Sequence, residues 1–466
     1  MEAIDIHKNK KKKSFSPTRR IAFSFLAVIV IGSLLLNMSF SNQDVSTSYL
    51  NHLFVATSAT CVTGLVPVTV AHQYSLIGQF IIIVLIQIGG LGFLTLLNMI
   101  LVASKQKLSY TSKIVMQEAL NQSSIHAIEV YIKRVIKYTF CFELIGACLL
   151  SLIFVPEFGL MKGIYYAVFH SISAFCNAGF DVLGSQSLMG YQTNILMNIV
   201  IGGLIIAGGL GFVVWVDLRM SWKKYVKNFK VFKWSKFLDL LSLHTKIVII
   251  VTSGLLLSGA FIFLILEFNN SQTIGLLSWP EKILVSLFQS TTLRTAGFAT
   301  IDNASMYVST KLVSCIYMFI GGSPAGTAGG IKTVTLAIMI LYIHSLIRGS
   351  DTIKVMKRTI SDQIVKRSLT IALVSFFISL LGLFILTITE NINFIDLVFE
   401  VFSAFATVGL TASVTPYLTA IGKVVIIILM YIGRIGPMTM VLIFTKRYNQ
   451  MKGKDIQYPL GNVLIG

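Results

Sequence analysis

Acidic residues are scarce in this chain: 19 Asp and Glu stand among 466 residues, half the 38 Lys and Arg. All charged residues together make up 12% of the sequence, too few for the surface of a soluble protein of this size. The five cysteines (Cys61, Cys141, Cys148, Cys176, Cys315) show no metal-ligand spacing. They fall in apolar stretches, so packing is expected of them and no disulfide. No nucleophile–base set and no metal cluster can be assembled from the sequence, which argues against an enzyme. The Gly-rich stretch from Gly321 lacks the Gly-Lys-Ser/Thr ending of a phosphate-binding loop, and no nucleotide-binding domain is present.

What is abundant is apolar surface. Hydrophobic residues account for 55% of the chain and the mean hydropathy is +0.80, the composition of an integral membrane protein. Stretches long enough to cross a bilayer, about 20 residues each, recur near 20–40, 75–103, 134–155, 193–217, 245–267, 309–346, 368–389 and 420–445. The first follows Lys10 to Lys13, as a signal peptide would. Its apolar run is too long for one, and no small-residue cleavage pattern follows.

The net charge of +19 invites a nucleic-acid reading, and its distribution removes it. Of the 38 basic residues, 31 fall in the N-terminus, the loops between repeats and the C-terminus. Four (Lys162, Lys282, Lys311, Lys423) fall in the opposite loops, and three (Arg294, Lys332, Arg434) in membrane-embedded stretches. This asymmetry follows the positive-inside rule and places both termini in the cytoplasm. The basic 219–236 segment and Lys10–Lys13 read first as topology determinants near anionic membrane lipid, and second as a docking surface for an acidic or nucleotide-binding partner.

One short pattern occurs four times. A polar-aromatic helix end runs into a loop that closes on a glycine: Thr60-Cys61-Val62-Thr63-Gly64, Asn177-Ala178-Gly179 after Phe175-Cys176, Thr295-Ala296-Gly297 after Arg294, and Thr407-Val408-Gly409 after Ala406. The apolar segments before them, near 46–59, 162–176, 279–292 and 393–406, are too short to span a bilayer. They read as re-entrant pore helices, since backbone at membrane depth is tolerated only where protein buries it or water lines it. A cation that sheds its water needs several oxygen ligands at once, and extended backbone supplies carbonyls. Glycine allows four such backbones to approach one axis, and threonine hydroxyls at 63, 295 and 407 add ligands or hold the loops. The expected fold is therefore an all-α membrane protein of four helix–pore-loop–helix repeats with pseudo-fourfold symmetry around one ion pore.

Downstream of each loop, 24 to 29 residues on, an apolar helix is broken by glycine: Gly89-Gly90-Leu91-Gly92, Gly208-Gly209-Leu210-Gly211, Gly321-Gly322-Ser323-Pro324 and Gly433-Arg434-Ile435-Gly436. The third continues Ala325-Gly326-Thr327-Ala328-Gly329-Gly330-Ile331-Lys332, a composition no helix sustains. This stretch is expected to be unwound and to act as a gate with Arg434, leaving selectivity to the loops above. Arg434 sits where other repeats carry Gly90, Gly209 and Gly322. A mid-membrane arginine costs at least about 2.5–3.5 kcal/mol, so it should face water or a partner. Arg294 is expected on the outer side of its loop, either pinning loop carbonyls or taking a direct part in permeation. Lys332 is expected to snorkel, Glu400 to anchor the fourth loop, and Glu143 to bond a neighbouring helix or carry a proton or sodium ion. His170 is read as scaffold.

Taken in order, Ala59-Thr60-Cys61-Val62-Thr63-Gly64-Leu65, Gln87-Ile88-Gly89-Gly90-Leu91-Gly92-Phe93, Ser173-Ala174-Phe175-Cys176-Asn177-Ala178-Gly179-Phe180, Arg294-Thr295-Ala296-Gly297-Phe298 and Tyr431-Ile432-Gly433-Arg434-Ile435-Gly436-Pro437 resemble the Trk/Ktr/HKT superfamily of potassium transporters. The likeness runs from about Pro17 to Gly466 and is nearest to the membrane subunit of bacterial Ktr systems. Cys176 stands where the family pattern suggests a second asparagine. The resemblance implies a selectivity filter at Gly64, Gly179, Gly297 and Gly409, with potassium held at filter carbonyls. Serine at the first position accompanies sodium entry in the family, so glycine at all four implies potassium. It further implies potassium as the transported ion, sodium as an activating or coupled ion, and no covalent cofactor. The implied partners are a second copy in a homodimer, a cytoplasmic nucleotide-binding regulatory ring subunit of the Ktr type and membrane lipid, with no nucleic acid. The implied location is the bacterial cytoplasmic membrane.

The expected division is a basic N-terminus (1–19), repeat one (20–104), a linker (105–132), repeat two (133–218), a basic linker (219–243), repeat three (244–348) with its gating loop at 321–332, a linker (349–365), repeat four (366–446), and a tail (447–466) at the dimer interface. Two other readings stay open: a symporter with stoichiometric sodium or proton coupling, and a membrane scaffold or sensor without transport.

Overall fold

The computed structural model describes residues 17–43, 46–92, 128–227, 235–350 and 352–436. The expected C-terminal interface at 447–466, the 1–16 end and most of the 105–132 linker lie outside these residues. Four long helices are apolar and long enough to cross a membrane: Pro17–Asn37, Ile128–Phe158, Leu243–Glu267 and Asp362–Thr389. We call them the leading helices of the four repeats. Each is followed by a shorter pore helix, Tyr49–Cys61, Leu160–Phe175, Trp279–Thr292 and Phe394–Phe405. A trailing helix completes each repeat: Leu76–Leu91, Ile195–Gly209, Val308–Phe319 and Ala420–Ile435.

Only about a third of each leading helix's apolar window is buried. The remainder, including Phe140, Leu257, Phe261, Phe377 and Leu381, is an exposed hydrophobic wall of the kind that lipid covers. The inward faces approach closely because each leading helix carries one glycine at the contact. A Cβ at Gly32, Gly146, Gly259 or Gly382 would lie 2.5 to 2.8 Å from atoms of Leu85, Ser171, Ser290 or Leu429, respectively. Small residues let helices in lipid gain contact area where no hydrophobic drive separates protein from solvent. The sequence reading passed over these four glycines.

Carboxylates at the far ends of three leading helices fasten the turns that follow. Glu157 Oε2 accepts from the Tyr191 hydroxyl at 2.6 Å, Glu267 Oε1 from the Tyr307 amide at 3.0 Å, and Glu390 Oε2 from the Thr419 amide at 3.0 Å. Successive repeats are then tied into a ring. Tyr165 donates to Gln79 Oε1 at 2.8 Å, Gln192 to the Thr273 carbonyl at 3.2 Å, Lys311 pairs with Asp396 at 2.7 Å, and Lys423 donates to Asn51 Oδ1 at 3.0 Å. Lys282 donates to the Phe268 carbonyl and Lys162 lies over the Phe158 and Tyr166 rings. The four lysines on this side are thus held locally.

Two departures from the expected elements, and one expected break, have plain causes. The second trailing helix turns by 94° into Phe212–Lys227, because Gly211 at φ +87° admits a left-handed turn. The third span, 309–346, is unwound in its middle, as its composition predicts, leaving two helices, Val308–Phe319 and Thr333–Ile347. A small antiparallel hairpin, Ile353–Val355 with Arg358–Ile360, interrupts the all-α reading. Its turn residues Met356 and Lys357 both have positive φ (47° and 65°), the mirror-image turn of tight hairpins. Neither residue carries the glycine or asparagine signal that reveals such turns in sequence.

Candidate functional site

The four loops meet around one axis. Val62, Asn177, Thr295 and Thr407, each two residues before the loop glycine, adopt φ between 52° and 61°. Three of these are β-branched, and holding each there costs on the order of 1–3 kcal/mol. The same strain at four equivalent places is direct geometric evidence of the repeat. The glycines themselves follow at φ +103° (Gly64), +67° (Gly179), +78° (Gly297) and +94° (Gly409).

Contacts between the glycines close a circle in chain order. A Cβ on Gly64 would lie 2.7 Å from the Ala178 carbonyl oxygen, on Gly179 2.6 Å from that of Ala296, on Gly297 2.8 Å from that of Val408, and on Gly409 2.0 Å from that of Thr63. Each glycine therefore abuts the carbonyl of the next loop, and the ring has no room for a side chain. The loops are braced from behind. The Gly64 and Gly409 amides donate to Ser58 and Ser403 Oγ at 3.0 and 3.1 Å. Ser173 and Thr292 hydroxyls donate to the Phe180 and Phe298 carbonyls at 2.7 Å. Glu400 accepts from Thr411 at 2.7 Å and from Thr415, which fits its expected anchoring of the fourth loop.

Five polar groups of the loops are buried without a hydrogen-bond partner among the described residues: the hydroxyls of Thr60, Thr63, Thr295 and Thr407, and Asn177 Nδ2. Enclosed oxygens with no donor are ready ligands for a cation or water. The structure also separates the threonines grouped by the sequence reading. Thr63 adjoins its glycine, whereas Thr295 and Thr407 stand one residue further away. The pore helices end at these loops, so their negative dipole ends favour a cation at the axis.

On one side the ring opens into a vestibule of about 410 Å³ lined by the four glycines, with Asp181, Asp302 and Asn303 in its wall. Asp181 is partly buried there, and desolvation pushes its carboxyl up to about 6 although the Ser187 side chain and the Leu183 and Gly184 amides favour the charged form.

On the other side lie the glycine breaks. Gly89, Gly208 and Gly433 press against the carbonyls of Thr60, Phe175 and Phe405, where a Cβ would lie 1.8 to 2.0 Å from the oxygen. The fourth residue of these breaks is a glycine at positive φ (Gly92, Gly211, Gly436), a backbone conformation that favours glycine. Pro324 replaces it in the third repeat, and the chain there runs inward as residues 320–332. A parallel bridge between Ile320 and Ile331 closes the base of this segment. Its tip is held by repeats two and four, and Arg434 links it on to repeat one. Ser323 N donates to Gly209 O at 2.9 Å, and Phe212 N to Ala325 O at 3.1 Å. Thr327 Oγ1 donates to Asn177 Oδ1 at 2.9 Å and Phe175 O at 3.2 Å. Arg434 donates to the Thr327 carbonyl and, through Nη2, to Gly89 O at 2.5 Å and Gly90 O at 3.3 Å. Gly329 lies against Thr407, where a Cβ would come 2.0 Å from Oγ1. The segment thus lies directly below the ring, packed on its second and fourth loops.

Other expected residues fall as follows. Lys332 donates to Ala328 O at 2.7 Å instead of snorkelling. Arg294 was expected on the outer side, pinning loop carbonyls. It occupies the place of Cys61, Cys176 and Ala406, on the side away from the vestibule, and donates to Thr252 Oγ1 at 3.4 Å. Glu143 accepts from Gln87 at 3.0 Å, and its own carbonyl accepts from Ser171 at 2.6 Å, so it is a bonded helix contact. Gln87 in turn accepts from Cys176 Sγ at 3.5 Å, a link to the second loop that spacing alone did not suggest. His170 Nδ1 donates locally to Tyr166 O at 2.7 Å, and the ring packs on Phe154. Cys61, Cys176 and Cys315 are buried, whereas Cys141 and Cys148 are exposed.

Comparison with known proteins agrees with this geometry. The TrkH family profile, described as a cation transport protein, matches residues 4–455. The potassium/sodium uptake protein NtpJ of Enterococcus hirae is 39% identical over 468 residues, covering 99% of this chain and 100% of its own. The Ktr system potassium uptake protein B of Bacillus subtilis is 39% identical over 452 residues, covering 97% of each. The crystal structure of the potassium transporter TrkH from Vibrio parahaemolyticus superposes with a TM-score of 0.73 at 17% identity, covering 94% of this chain and 86% of that one. The fold is therefore the TrkH one: an all-α membrane protein with four pore-loop repeats. The chain belongs to the TrkH family of cation transport proteins.

Proposed function

We propose that this protein takes up potassium across the bacterial cytoplasmic membrane, with both termini on the cytoplasmic side. The observation that carries the reading is the closed circle of four left-handed glycines, each abutting a carbonyl of the next loop. Such a ring replaces a hydration shell with backbone oxygens, and the unpartnered hydroxyls of Thr63, Thr295 and Thr407 add to it. In this reading the loops at 60–64, 177–179, 295–297 and 407–409 form the selectivity filter. The full-length relatives from Bacillus subtilis and Enterococcus hirae, named for potassium uptake and potassium/sodium uptake, support the choice of ion.

Residues 321–332 and Arg434 act as the gate. Unwound backbone below the ring is the bistable element, and Arg434 both holds it and opposes cation leak. A cytoplasmic nucleotide-binding ring subunit sets its position, and the membrane subunit works as a homodimer. The Enterococcus name favours one second reading, in which sodium is coupled stoichiometrically or activates the transporter. The test is growth of a potassium-uptake-deficient bacterium on low potassium, with this chain expressed alone and with a candidate ring subunit. Rescue that strengthens with the ring subunit is expected. Absence of rescue in both, with the protein in the membrane, refutes the proposal. Flux that reverses with the sodium gradient at fixed voltage selects the coupled reading.

A further inference from the structure

Away from the ring, on the opposite membrane face from the vestibule, a cavity of about 150 Å³ lies between the second leading helix and Phe212–Lys227. Its wall consists of Arg134, Tyr138, Val216, Arg219, Met220 and Lys223. On the first helix Arg134 and Tyr138 are one turn apart. On the second, residues 216, 219, 220 and 223 form a single stripe at helical spacing. Two faces carrying three cations thus look at each other across a gap.

Among the described residues no acidic side chain lines this gap, and Arg134, Arg219 and Lys223 have no ion pair. Asp217, the acid on the same short helix, accepts the Ser242 amide at 3.0 Å instead, toward the third leading helix. Tyr138 adds a second, independent sign: its hydroxyl is enclosed without a hydrogen-bond partner among the described residues. Like charges one turn apart repel, and a shielded hydroxyl lacks its compensation. An anion with several acceptor oxygens relieves both.

The place in the membrane selects the anion. Phe212–Lys227 leaves the trailing helix at 94°, which lays it along the surface, and Trp222 on it is 49% exposed. Aromatic side chains of this kind settle at headgroup depth. Basic pockets between membrane helices on the cytoplasmic side are known to receive anionic headgroups. We propose that this cavity binds the phosphate of an anionic phospholipid, with Arg134, Arg219 and Lys223 neutralising it and Tyr138 donating its hydroxyl. The basic 219–236 stretch, read from sequence as a topology determinant near anionic lipid or as a partner docking surface, then contributes to a specific lipid site. This assignment does not depend on the ion-conduction reading.

The test is native mass spectrometry of the purified full chain in detergent, titrated with phosphatidylglycerol and, separately, phosphatidylcholine. The unaltered chain should retain phosphatidylglycerol in preference. The combined variant Arg134→Gln, Arg219→Gln, Lys223→Gln should lose that preference by at least about tenfold. Tyr138→Phe, which keeps the ring and removes the donor, should weaken retention by a smaller factor. Lys366→Gln with Arg367→Gln, two exposed cations on the fourth leading helix, should leave it intact. If the combined variant does not fold, Arg219→Gln and Lys223→Gln, both at exposed positions, are tested singly for a graded loss. Equal retention in all chains, or equal loss in the Lys366 and Arg367 control, overturns the site. Displacement of the lipid by millimolar inorganic phosphate also overturns it, because a soluble anion would then suffice.

Discussion

Alanine at Gly409 should damage ion selection more than alanine at Gly64, although the two residues occupy equivalent places. Both have left-handed φ, +94° and +103°, so each substitution carries a similar backbone cost of about 1–2 kcal/mol. The difference comes from the neighbour. At Gly409 the new Cβ would lie 2.0 Å from Thr63 O, and at Gly64 2.7 Å from Ala178 O. Ordinary contact begins at 3.4 Å, so the Thr63 carbonyl must retreat by about 1.4 Å and the Ala178 carbonyl by about 0.7 Å. A carbonyl cage discriminates ions through the number and spacing of its oxygens, and each 1.4 kcal/mol of lost preference is about tenfold. Gly409→Ala should lower the potassium-to-sodium uptake ratio by about tenfold or more, and Gly64→Ala by about threefold. Gly64→Ser should exceed Gly64→Ala, because its hydroxyl competes with the carbonyls. The assay is rubidium and sodium flux into liposomes, with size-exclusion profiles confirming folded protein. An unchanged ratio in Gly409→Ala, or a larger loss in Gly64→Ala, would refute the ring as the selecting element.

Arg434→Ala removes three carbonyl contacts and the charge below the ring, so ungated rubidium flux should rise about tenfold or more; flux that falls or stays level in folded protein excludes the barrier role. Thr327→Val keeps shape and removes the bond to Asn177, so it should change both partner-dependent activation and the potassium-to-sodium ratio, whereas Thr327→Ser should restore both. Asp181, pushed up to about 6, is mostly ionised at pH 7 and neutral below its midpoint. Potassium uptake should therefore fall as external pH drops from about 7.5 to about 5, and Asp181→Asn should flatten that profile. Lys311→Met strands the partly enclosed Asp396 and should cost about 3–5 kcal/mol of stability; if Lys311→Met with Asp396→Leu melts no higher than the single variant in detergent, the pair is not what matters there.

Much of the architecture was legible because the signals are repeated. Four loops closing on glycine, four downstream breaks and an uneven distribution of Lys and Arg each mark the same organisation, and each described leading, pore and trailing helix starts within a few residues of its expected segment, apart from the second and fourth leading helices, which start six earlier. The elements that escaped lack a local signature. The leading-helix glycines 32, 146, 259 and 382 recur once per repeat, but each is a lone glycine at its contact in an ordinary apolar run. Arg294 was misplaced because a loop's sequence does not reveal which way a side chain leaves it, and here it points to Thr252. The Met356-Lys357 turn carries no residue that prefers its left-handed geometry. Bonds between repeats, such as Cys176 to Gln87, join residues 89 positions apart and are invisible to local pattern.

The largest revision concerns the separation of gate and filter. In the sequence the unwound stretch lies well downstream of every loop, so removing part of it looks harmless to selectivity. In the structure, its Thr327 hydroxyl reaches Asn177, and its Gly329 packs on Thr407. Asn177 and Thr407 are the strained residues of two loops, both at positive φ. Residues held in such conformations persist only while their surroundings over-determine them. Moving the segment withdraws part of that support from two of the four loops. A ligand or partner shifts an equilibrium only by its differential interaction with the two states. Any partner that displaces the segment therefore works against the Thr327–Asn177 bond and the Arg434 contacts together. Under the proposed assignment of gate and filter, opening and ion preference form one coupled equilibrium, and the second loop, which is also supported by Gln87 through Cys176, is the link this reading puts to the test.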